Sequence, residues 1–126
     1  MNGSNLVIDT NIALYLLSKD DTIAQLLNGK DIYISFITEL ELLGYKNLSP
    51  IENITIRDFI SDCIVIDLNS EIKRSVINLR QKYSIKLPDS IIASTAIYLG
   101  LPFVTADKGF EKIKEMDILI YDPGTF

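Results

Sequence analysis

The chain has 126 residues, 48% of them apolar and 23% charged, with a formal net charge of -5. That length suits one domain over residues 1–126 around a single core, and the acidic balance argues against a protein that grips nucleic acid through a broad basic surface. Cys63 is the single cysteine and histidine is absent, which excludes internal disulfides, zinc sites of the His/Cys type and imidazole catalysis.

Asn5 to Ile8 is a short apolar run ending at Asp9, and Asn11 to Ser18 has apolar residues at helical spacing, so a strand and then a helix are predicted. Asp20 to Asn28 predicts a second helix closed by Gly29, followed by a strand over Asp31 to Ser35. Thr38 to Lys46 and Ile54 to Ser61 predict two helices parted by the breaker Ser49-Pro50. Cys63 to Leu68 is a β-branched run typical of a buried strand, and Ser70 is the expected cap of an amphipathic helix reaching about Tyr83.

A further helix is expected to start at Pro88, a residue suited to a first turn, and to end at Gly100. Leu101 to Thr105 predicts the fourth strand, Lys108 to Lys114 a short helix and Ile118 to Tyr121 the last strand. Strands alternating with helices imply an α/β fold with a parallel sheet covered on both faces. Ile91 to Val104 is broken by polar residues and Pro102, short of the roughly 20 apolar residues of a membrane span. With no basic-apolar signal segment at the start, no membrane association and a cytoplasmic location are expected. The high apolar content and positive mean hydropathy lead us to expect a protein partner or oligomer that covers apolar surface.

The remaining chemistry rests on carboxylates. Asp9 closes the first strand, Asp89 follows Pro88 at a helix start, and Asp107 lies just beyond the fourth strand. Each taken alone is explained as a helix cap, a favourable charge at a helix N-terminus or a loop-shaping residue. Glu39 and Glu41 are two apart on one predicted helix, so they point about 200° apart and at most one can face a common site. Together, three acids fall at what should be one edge of the sheet, with a helix glutamate able to join them. Carboxylates brought together repel one another unless a cation sits among them, and oxygen ligands select hard ions such as Mg2+ or Mn2+.

The segments Val-Ile-Asp-Thr-Asn, Ile-Ser-Phe-Ile-Thr-Glu-Leu-Glu-Leu-Leu-Gly, Leu-Pro-Asp-Ser-Ile-Ile-Ala-Ser-Thr-Ala and Val-Thr-Ala-Asp-Lys-Gly-Phe resemble, in order and spacing, the acidic motifs of PIN domains, above all those of VapC-type toxins. The resemblance implies a three-layer α/β/α sandwich and a metal-dependent endoribonuclease. Its acids map onto Asp9, Glu41, Asp89 and Asp107, with Glu41 preferred to Glu39 for its place in the Glu-Leu-Leu segment. Thr10, Asn11 and Thr105 match supporting polar positions that orient carboxylates or water, or else serve as caps. Some family members carry a further acid where this chain has Gly109, which bears on the binding of a second metal.

By the same resemblance the reaction would be hydrolysis of an RNA phosphodiester by metal-activated water. With no histidine, a lysine such as Lys108 is a candidate proton donor to the leaving group, and Arg80, Lys82 and Lys86 are candidates for contact with RNA backbone. The implied partners are an antitoxin whose C-terminal segment covers the active site and a second copy of the chain, with Tyr15, Leu16, Phe36, Leu40 and Leu43 as a candidate groove or as ordinary core. Two other readings stand beside this one. One is a PIN-like module that binds protein or RNA without cutting. The more distant one is a phosphoryl-transfer protein using Asp9 as nucleophile, although a dehalogenase-like phosphatase would have a second aspartate where this chain has Asn11.

Overall fold

The computed structural model describes residues 4–122. Among them are the strands β1 (Asn5–Ile8), β2 (Asp31–Ser35), β3 (Ile64–Ile66), β4 (Phe103–Thr105) and β5 (Ile118–Ile120). The helices are α1 (Thr10–Leu17), α2 (Asp21–Leu27), α3 (Phe36–Leu43), α4 (Pro50–Asp62), α5 (Ser70–Lys82) and α6 (Leu87–Leu99), with a 3-10 turn over Lys108–Lys112. The strands form one sheet in the order β3-β2-β1-β4-β5, and each pairing is parallel.

Successive side chains of a strand point to opposite faces, and β1 shows how this builds the layers. Leu6 and Ile8 pack with Ile12, Ile23, Ile34 and Leu42 under α1 to α4, while Val7 faces the other way and packs with Leu79, Ile92 and Ala96 of α5 and α6. In β4, Phe103 joins the second cluster and Val104 the first. A strand buried on both faces has no position left for a polar residue, which is why these segments read as continuous apolar runs. The expected α/β/α sandwich is therefore what the chain forms. Among the described residues no helix is long and apolar enough to cross a membrane.

Several boundaries differ from the sequence expectation for identifiable reasons. Ser49-Pro50 separates α3 from α4 as expected, and does so by starting α4. The Ser49 hydroxyl accepts from the Glu52 N–H at 3.1 Å, and the Glu52 carboxylate accepts from the Ser49 N–H at 3.0 Å. Pro50 then takes the first helical position, where its missing N–H costs nothing. Asn69 rather than Ser70 caps α5, accepting from the Ile72 N–H at 2.8 Å. The third helix starts two residues early at Phe36, because Ser35 caps it at 3.1 Å from the Ile37 N–H, and ends before Gly44 rather than at Lys46. The segment expected as a helix to Lys114 is a 3-10 turn ending at Lys112. Gly100 closes α6 as expected, with φ 65° and its N–H shared between the Ala96 and Ile97 carbonyls.

From β1 the chain proceeds to β2 and β3 on one side, then returns to lay β4 and β5 on the other. Strand order thus reverses between β1 and β4, the place where a parallel sheet leaves a crevice beyond its carboxyl ends.

Candidate functional site

Asp9 directly follows β1, and Asp107 lies two residues past the end of β4, so the crevice receives one acid from each adjoining strand. Asp89 comes from the first turn of α6 and Glu41 from α3. All four line one cleft of about 190 Å³, with Thr10 and Asn11 beside them. Glu39 is not among the lining residues, so of the two glutamates it is Glu41 that faces the cleft.

A hydrogen-bond chain fixes the two strand-end acids. Asp9 is 5% exposed; one carboxylate oxygen accepts from the Ile12 N–H at 3.0 Å and caps α1, while the other accepts from the Thr105 hydroxyl. The same hydroxyl accepts from the Asp107 N–H at 3.0 Å, and the Asp107 carboxylate accepts from the Gly109 N–H at 2.8 Å. Capping and cleft lining are therefore one arrangement rather than alternatives. On the other wall, the Thr10 hydroxyl lies 2.5 Å from a Glu41 carboxylate oxygen and 3.1 Å from the Thr38 hydroxyl. With a single proton to give, it donates to the charged acceptor and receives from Thr38. Thr10 and Thr105 thus orient acids, whereas Asn11 lines the cleft from an exposed position.

The electrostatics join the acids further. Burial pushes the Asp9 carboxyl up, the Thr105 and Ile12 bonds partly offset this, and the charges of Asp107 and Asp89 push it up again, leaving it above the ordinary carboxylate range. Burial also raises Asp89, followed by the charges of Asp107 and Glu41, against a smaller opposing effect of Lys86 and Lys112. Asp9 and Asp89 therefore feel other acids across the cleft, and a cation there would relieve this repulsion.

The donors are all oxygen, which suits hard ions. Among the described residues no group of three acids stands close enough to hold an ion directly. Magnesium is commonly held by one or two carboxylates and keeps several waters, so the donor chemistry and the room fit a hydrated ion rather than a protein cage.

The lysines fall differently from the sequence reading. Lys108 is exposed at the start of the 3-10 turn and lines neither this cleft nor the cavity beside it. Lys82 pairs with Glu115 at 2.7 Å, and Arg80 is exposed on α5. Lys86 does reach the region, lining the adjoining cavity with Asp89 and Asp107, and so does Lys112, which no spacing had marked. Tyr45 and Phe110 also line the cleft and were missed, since aromatic residues at such positions read as ordinary core.

For most of the apolar residues of the early helices, core packing is what the structure shows. Tyr15, Leu16 and Leu43 pack against the first core cluster, and of the five candidate groove residues only Leu40 is exposed, at 58%. The groove the structure does form lies between α1 and α4, lined by Leu14, Leu17, Leu48 and Ile51, and it meets the acid cleft at Tyr45.

Comparison with known proteins agrees with this fold. A family model described as PIN domain matches residues 6–116. A toxin-antitoxin complex from Klebsiella pneumoniae contains a chain similar to this one at 30% identity and a TM-score of 0.80, covering 93% of this chain and 98% of that one. A chain of VapBC2 from Rickettsia felis, bound to a DNA fragment from its promoter, is similar at 25% identity and TM-score 0.77, covering 94% and 99%. DNA-bound VapBC from Salmonella typhimurium gives 26% identity and TM-score 0.76, covering 92% and 97%. No curated protein sequence matches the chain.

Proposed function

Because the chain belongs to the PIN domain family, we propose that it is a divalent-metal-dependent endoribonuclease and the toxin of a toxin-antitoxin pair. The observation that carries this reading is the gathering of Asp9, Glu41, Asp89 and Asp107 in one cleft at the switch point of the sheet. These four would hold Mg2+ or Mn2+, directly or through water. Bound there, the cation would supply Lewis acidity toward the phosphate oxygens and activate water for attack.

The chain's own residues then have distinct tasks. Thr105 and the Ile12 N–H hold the Asp9 carboxylate in one orientation, and Thr10 does so for Glu41. Asp89, half-buried at the first turn of α6, lines both the cleft and the adjoining cavity, a position from which it could take the proton of the attacking water. Lys86 and Lys112 are better placed than Lys108 to meet the substrate's charge.

The antitoxin is assigned by likeness to the toxin-antitoxin complexes above, and its segment fits the apolar groove between α1 and α4, whose end at Tyr45 opens on the acid cleft. A second copy of the chain is a further proposed partner, and the cytoplasm the proposed location, since RNA is its substrate in this reading. The separation of the acids favours one competing reading, a binding module without cleavage.

Thermal unfolding with and without Mg2+ or Mn2+, followed by an RNA cleavage assay, decides between the two readings in partner-free wild type and Asp9→Asn. A ligand that binds only the folded state raises its stability. Metal stabilisation and cleavage that both disappear in Asp9→Asn are expected. Wild type that ignores metal and leaves RNA intact would overturn the nuclease in favour of the binding module.

A further inference from the structure

We propose that the cavity beside the acid cleft, walled by Lys86 and Lys112, is a subsite for the backbone phosphate next to the scissile one on a single RNA strand. The proposal rests on the nuclease reading above and adds the residues that set the strand's path. The cavity measures about 220 Å³ and shares Asp89, Asp107 and Phe110 with the cleft. A strand whose scissile phosphate lies among the acids can therefore continue into it.

Three features make the cavity suitable for a phosphate. Lys112 donates through Nζ to the Ser84 carbonyl, which fixes the ammonium at the wall and leaves it two further protons to give. Lys86 immediately precedes α6, and both ammonium charges reach Asp89. The first turn of α6 has no side-chain cap, and its capping residue Lys86 and its Asp89 line this cavity, so the positive end of the helix dipole adds to the lysine charges there.

The overall charge of -5 does not oppose this. With their carboxylates ionised, Asp89 and Asp107 offset the two lysines that share their cavity, and the region attracts no anion strongly. A divalent cation in the cleft offsets two carboxylate charges and so frees the lysines to meet a phosphate. Affinity for RNA backbone is thus strengthened by the metal and lies on one side of the cleft.

The test compares wild type, Lys86→Gln, Lys112→Gln, the double glutamine variant and the double arginine variant. The probe is a mixed-sequence single-stranded RNA at fixed Mg2+, and each protein's melting shift with Mn2+ reports whether fold and cleft are intact. In the double glutamine variant KM should rise about tenfold or more with kcat within about twofold of wild type. The slope of log affinity against log salt should shrink by about 0.7, the value for one phosphate of a single strand. Arginine should restore most of the affinity, and Lys86→Gln, which leaves the Ser84 bond alone, should show part of the effect. Unchanged KM and slope would overturn the subsite while leaving the nuclease standing, as would a fall in kcat alone. Wild type that responds to Mn2+ but neither binds nor cuts RNA would overturn both.

Discussion

Thr105 presents one hydroxyl to two acids, donating to the Asp9 carboxylate and accepting from the Asp107 backbone, and the cleft depends on such small fixed groups. Their cost is visible in Asp89, whose carboxyl is held above the ordinary range first by burial and then by Asp107 and Glu41. An acid whose pKa is raised on folding binds its proton more tightly in the folded state. The destabilisation is present at neutral pH and is relieved as pH falls through the folded pKa toward the unfolded value of about 3.9. Metal-free Asp89→Asn is therefore expected to melt above wild type at pH 7, with the gap closing as pH approaches about 4. Added Mg2+ should narrow or reverse the gap, because the wild-type cleft has one more carboxylate to hold it. Melting curves across this range check the idea, and a gap independent of pH would count against like-charge repulsion as its cause.

At the scale of elements, the caps decide where helices begin. Ser49 and Glu52 close a reciprocal box at the head of α4, a helix that buries Ile56 and Ile60 against the first core cluster. Ser49→Ala should cost about 1 kcal/mol, within the usual range for losing such a cap, measured by urea unfolding. A loss below about 0.3 kcal/mol would mean the box is formed but contributes little. The signal was present in the sequence as Ser-Pro-Ile-Glu, yet the pair Ser-Pro serves equally as a breaker and as a start. Local chemistry alone does not choose between them. The helix is longer than expected because Ser49 and Glu52 close the box that starts it at Pro50 rather than Ile54, while Ile56 and Ile60 anchor it to the core.

At the scale of the molecule, two surfaces meet at Tyr45, the acid cleft and the apolar groove between α1 and α4. Ile51, 77% exposed at the rim of that groove, is a large apolar side chain that the proposed antitoxin segment would cover. Ile51→Asp is expected to weaken capture of the cognate antitoxin about tenfold or more in a titration of purified components, since a charge would have to be buried in an apolar contact. RNA cleavage by the partner-free variant shows whether the cleft is intact. Unchanged antitoxin affinity would move the partner's contact elsewhere. The sequence left Tyr15, Leu16 and Leu43 open between this surface and ordinary core, and they pack against the core. An apolar residue on an amphipathic helix carries no mark that tells a core face from a partner face.

What the sequence determined by itself is the alternation of strands and helices, the parallel sheet and the four acidic segments in order. Each of these is written in local periodicity, caps and motif spacing, and the family match and the observed sandwich agree with it. Only the tertiary structure decided that β1 lies beside β4, that Glu41 rather than Glu39 turns to the cleft, and that Lys112 comes to Asp89 while Lys82 is drawn to Glu115. These are contacts between residues far apart in the chain. They depend on strand order and helix rotation, which the packing of two core layers fixes and no short segment records.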